Sequence, residues 1–149
     1  MKKKYTKPEQ LDKYAFLWSQ ARLVIAAVAL FLGGTPPFIA YSPSSLIGTL
    51  SSLHAVAYLI SGVAAIYMVY RWNQSKQKLF GHKNKIDLAA FFVSIVSGVN
   101  LGLVGLLGKN IGMSITSSYP IFILVGIIYL ISMMHLQKRW NHSGQKMFS

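Results

Sequence analysis

Residues 14–32 read YAFLWSQARLVIAAVALFL, a stretch of apolar side chains interrupted by one cation, Arg22. About 20 mostly apolar residues, rising 1.5 Å each in a helix, cross the roughly 30 Å of hydrocarbon in a bilayer, so this stretch is long enough to span. Three further segments match it: Leu53–Tyr70, Leu88–Leu107 and Pro120–Leu136. Gly33-Gly34 and Pro36-Pro37 punctuate the end of the first, Asp87 is placed to N-cap the third, and Ser118 precedes Pro120 in the first turn of the fourth. The expected fold is all-α and transmembrane, a four-helix bundle forming one integral membrane domain over residues 1–149.

Composition agrees. The 149 residues are 53% hydrophobic and only 12% charged, with a mean hydropathy of +0.44. A soluble domain carries about a quarter of its residues as charges. The net charge of +12 would suit a nucleic-acid reader, but not on so apolar a body, and no nucleic-acid partner is expected. There is no cysteine, hence no disulfide, thiolate zinc site or thiol nucleophile. Glu9, Asp12 and Asp87 are the whole carboxylate supply, too little for paired-carboxylate hydrolysis or carboxylate-bound metals. His54 and His135 fall at opposite ends of their spans, about 20 Å apart in depth, too far to share a haem iron. No catalytic residue, metal or cofactor is expected, and the chain does not read as an enzyme.

The cations give the orientation. Lys2, Lys3, Lys4, Lys7, Lys13 and Arg22 precede or open the first span; Arg71, Lys76, Lys78, Lys83 and Lys85 follow the second; Lys138, Arg139 and Lys146 follow the fourth. The two remaining connections hold Lys109 alone. The positive-inside rule then places both termini in the cytoplasm of a multi-pass protein, as in a bacterial or archaeal cytoplasmic membrane. The start MKKK invites a signal-peptide reading, but Phe38-Ile39-Ala40 puts a bulky residue where cleavage needs a small one. Thr6-Lys7-Pro8-Glu9 instead resembles a capping box opening a cytoplasmic helix, so the first segment is expected to be retained.

A repeat organises the chain. Residues 71–80, RWNQSKQKLF, and 139–148, RWNHSGQKMF, share Arg, Trp, Asn, Ser, Gln, Lys and Phe at the same places. The first and third spans also align, Asp12 with Asp87, Phe16 with Phe91 and Ser19 with Ser94. Two tandem two-helix hairpins are expected, over about residues 11–80 and 86–148, entering the membrane the same way up.

Three groups of residues are candidates for function. Arg22 lies about 12 Å along the helix from Tyr14, with no acidic residue in any span to pair with it. The cheaper arrangement is for the span to shift until Arg22 snorkels to the cytoplasmic interface; the costlier is an intramembrane polar site with Ser97 and Asn100. Gly98, Gly102 and Gly105 on the third span, and Ser61-Gly62 on the second, suit close helix packing. Arg71, Trp72 and Lys78, with Arg139, Trp140 and Lys146, read as interfacial anchors whose rings enter the headgroup boundary and whose cations meet anionic inner-leaflet lipid. The Pro-rich connection after the first span is expected to lie along the outer interface or partly re-enter the membrane. The leading functional expectation is an accessory or structural subunit that packs against copies of itself or a larger membrane complex. The alternative is a small oligomeric transporter or channel for an anionic or neutral solute using Arg22 and Asn100.

Overall fold

The computed structural model describes residues 7–149; Lys2, Lys3, Lys4 and Thr6 of the expected capping box lie outside them. Four long helices dominate: α1 (Pro8–Phe31), α3 (Ile47–Gln74), α4 (Lys85–Leu107) and α6 (Tyr119–His142). Each is long and apolar enough to cross a membrane. Short helices α2 (Pro37–Ala40) and α5 (Ile111–Ile115) lie in the two connections opposite the basic end, and among the described residues there is no β-strand.

Local chemistry sets the boundaries. Pro8 opens α1, where its fixed φ suits a first turn and its missing N–H costs nothing. α4 is capped one residue before its first turn by Asn84, whose side chain accepts from the Ile86 and Asp87 amides. Asp87, expected as that cap, instead sits inside the first turn and is fully buried. Gly108, at φ 67°, ends α4 in the left-handed conformation that glycine adopts without strain. α3 begins at Ile47, ahead of the expected Leu53, so much of the Pro-rich connection is helical.

Around the bundle α1 lies beside α6, α6 beside α4, α4 beside α3, and α3 beside α1. The α3–α4 and α1–α6 seams are the extensive ones. On the first, Gly62 meets Gly102 backbone to backbone: a Cβ built on Gly62 would stand 2.8 Å from the Gly102 Cα. Gly105 lies against the Ala55 carbonyl and Leu59 of the same neighbour, and Gly98 against Ala65. The densest core is at the basic end, where Phe16, Met68, Phe91, Leu136 and Trp140 are joined by Leu79, Phe80, Met147 and Phe148. Outward, Val63, Ile66, Leu124, Ile131 and Met134 are exposed, a surface suited to hydrocarbon.

Candidate functional site

Arg22 occupies the middle of α1, ten residues from Asp12 and nine from Phe31, or about 15 and 13 Å along the axis. It does not snorkel. Its residue is 5% exposed and its side chain crosses to α3 and α4. Nη2 donates to the Ser94 carbonyl at 2.5 Å and to Ser94 Oγ at 2.9 Å, and Nη1 reaches the Ser61 carbonyl at 3.5 Å. Gly98 makes this possible, because a Cβ there would collide with the guanidinium. Nε has no hydrogen-bond partner. None of the three carboxylates is within reach: Asp12 and Asp87 are engaged at the basic end, and Glu9 lies in the first turn of α1. A full positive charge is thus held in the body of the bundle by neutral oxygen atoms, an expensive arrangement in a membrane.

Arg22 forms part of the wall of a cavity of about 330 Å³ between α1 and α3. Trp18, Ile25, His54, Tyr58 and Ser61 contribute, with Pro36 and Phe38 toward the connection after α1. Trp18 Nε1 donates to Ser61 Oγ at 3.0 Å, and that hydroxyl donates to the Ala57 carbonyl at 2.8 Å. His54 Nδ1 lies 2.8 Å from the Leu50 carbonyl.

Ser97 and Asn100 belong to a second, smaller cavity of about 150 Å³ that shares Ala26, Ala29, Tyr58 and Leu101 with the first. Asn100 does not join Arg22. Its amide donates to Asn110 Oδ1 at 3.0 Å while its oxygen accepts from Ile111 N at 3.1 Å, and Asn110 in turn caps α5 through Met113 N at 3.1 Å. Asn100 therefore ties down the connection after α4. Nothing in the spacing pointed to that role. Ser94, which does hold Arg22, was visible only as one more polar residue of the third span.

The residues expected as anchors also make contacts within the bundle. Arg71 binds Asp12 through Nε and Nη2, both at 2.8 Å, with the Tyr67 hydroxyl donating to the same carboxylate at 2.8 Å. Arg139 Nε binds Asp87 at 3.0 Å, and His135 Nε2 meets that carboxylate at 2.7 Å. Trp140, 2% exposed, stacks on Phe16 at 4.2 Å, and Trp72 packs against Phe91 and Phe92. Arg71 lies over the Phe148 ring at 5.9 Å and Arg139 over the Phe80 ring at 5.6 Å, while the Phe80 amide donates to the Met147 carbonyl at 2.8 Å. Paired carboxylates and a neighbouring ring at each position hold these groups against the bundle. Lys78 and Lys146 remain exposed.

Among the described residues no group of three or more His, Asp or Glu side chains is placed to hold a metal ion. No protein family, curated protein or solved structure matches the chain.

Proposed function

We propose that the chain is a membrane-embedded binding protein, acting as a small carrier or its ligand-binding subunit, that takes an anionic or neutral solute in the cavity beside Arg22. The single observation behind this reading is a buried, acid-free guanidinium on a cavity wall. Holding a cation at that depth costs at least about 3 kcal/mol, a cost that folding alone gives no reason to keep. Anchoring by Asn100 removes it from the solute site and leaves Arg22 as the principal residue.

The proposal includes the architecture of two tandem hairpins, termini cytoplasmic. Contacts recurring at two fixed offsets support it: Asp12–Arg71 with Asp87–Arg139, Phe16–Trp140 with Phe91–Trp72, and Arg71–Phe148 with Arg139–Phe80. Because the natural chain has no cysteine, single Lys109→Cys and Ser149→Cys variants test sidedness. An impermeant maleimide should label the first only from outside and the second only from inside. Equal labelling of both from one side would overturn the topology.

The second reading is an accessory subunit of a larger complex, favoured by Asn100 and Ser61 being spent on internal hydrogen bonds. Purification in mild detergent, paired with anion uptake into proteoliposomes, separates the two. Arg22-dependent uptake by the isolated protein supports the binding reading. A stoichiometric partner, with association and function indifferent to Arg22→Leu, refutes it.

A further inference from the structure

We propose that the cavity takes a membrane-dissolved amphiphile with a single carboxylate, its headgroup on Arg22 and its chain running out between α1 and α3 into the hydrocarbon. This rests on the binding reading above and specifies its ligand class.

The direction of access comes first. The rim residues Trp18, Ile25, Leu53 and Phe38 are all exposed, and they lie on the flank of the bundle between α1 and α3. Arg22 is mid-helix, so the flank at its level faces lipid tails, and a ligand arriving there comes from the lipid phase.

Headgroup chemistry follows from the donors. A guanidinium has five N–H groups. Ser94 satisfies Nη2, Nη1 has one contact of 3.5 Å, and buried Nε has none. One uncompensated positive charge matches one negative charge, so a monoanion neutralises it where a phosphate monoester would leave an excess. Carboxylate–guanidinium hydrogen bonds are charge-assisted and gain strength when water is excluded.

The walls select against polar ligands. Trp18, Ser61 and the Nδ1 of His54 already satisfy one another or nearby carbonyls, leaving the Tyr58 hydroxyl and His54 Nε2 as the few other polar groups available. A sugar or peptide would strand several donors and acceptors there, at roughly 1–3 kcal/mol each. The volume, about 330 Å³, is at the small end of ligand pockets, room for a headgroup and the first part of one chain.

Trp18 supplies the assay. In phosphatidylcholine nanodiscs, 9,10-dibromostearate should quench tryptophan fluorescence saturably, and Trp18→Phe should remove the saturable part, because Trp72 and Trp140 lie at the other end. Arg22→Met should raise the half-saturation concentration at least tenfold. Ala57→Phe, which fills the cavity without touching Arg22, should do the same and carries the test if Arg22→Met does not fold. Equal saturable quenching by the methyl ester of the acid, or indifference to both variants, overturns the inference. If aqueous benzoate binds with Arg22 dependence while dibromostearate does not, the amphiphile falls and the binding reading stands. If neither an anion nor the neutral methyl ester binds saturably with sensitivity to Arg22→Met or Ala57→Phe, both fall.

Discussion

Replacing Gly62 by alanine tests the α3–α4 seam where no side chain can rotate away. A Cβ on Gly62 would stand 2.8 Å from the Gly102 Cα, and ordinary contact begins at 3.4 Å, so the backbones must separate by about 0.6 Å. A gap of 0.5–1 Å forfeits a quarter to a half of each dispersion contact it opens, and packing is the main force between helices in lipid. Overpacking of this kind costs roughly 2–3 kcal/mol. Alanine recovers about 1 kcal/mol of helix propensity, which leaves a net loss of about 1–2 kcal/mol. Gly48→Ala is the control: nothing lies within 4 Å of its Cβ, so only the favourable propensity change remains. The assay is unfolding in dodecylmaltoside titrated with dodecyl sulfate, followed by circular dichroism. Gly62→Ala as stable as the natural protein, or shifted the same way as Gly48→Ala, would refute the close approach.

The basic end gives two more predictions and the opposite end one. Asp87→Asn removes a fully buried carboxylate from Arg139 and His135, each about a third exposed; after discounting for solvent, a loss of about 1–2 kcal/mol is expected in the same titration. Phe80→Ala and Phe148→Ala should each cost about 3–5 kcal/mol, since both rings are at least nine-tenths buried beneath an arginine; a cost confined to one would break the equivalence of the tails. At the opposite end, Asn100→Ala should raise hydrogen exchange at the Ile111 and Gly112 amides and protease cutting in 109–118 with little change in global stability. Unchanged exchange there would show that Asn100 does not hold the connection.

The four spans were legible because apolar length is a local property, and the glycines of α4 because their spacing is. The start of α3 was not: Pro43 and the serines after it resemble a loop, yet Pro43 can precede a helix as readily as end one. Arg22 was legible as a residue in question but not as a buried one. Snorkelling or burial depends on whether another helix offers carbonyls and an empty position, and Ser94 with Gly98 provides both from 72 and 76 residues away. The internal contacts of the tails were not legible for a similar reason. An aromatic and basic motif has the same composition at a lipid interface as over a neighbouring carboxylate and ring, and Asp12, Phe16, Asp87 and Phe91 came close only through the fold.

The two cavities sharpen the functional argument, because on the tandem reading they are counterparts. The offsets that relate the basic-end contacts carry Arg22 to Ser97, His54 to Phe122, Ala57 to Val125 and Ser61 to Tyr129, and those residues line the larger and the smaller cavity respectively. Each α3-to-α6 exchange among them adds bulk, and the volume falls from about 330 to about 150 Å³. In the smaller cavity Asn100 also fastens the connection after α4. On that reading, contacts that hold the fold recur in both halves, whereas the cavity keeps its cation and its room in one. A bundle under pressure only to stay folded has no reason to shed bulk around a buried, uncompensated charge. Retention of space at Arg22 and loss of it at Ser97 therefore point to the first half as the place where a ligand is held.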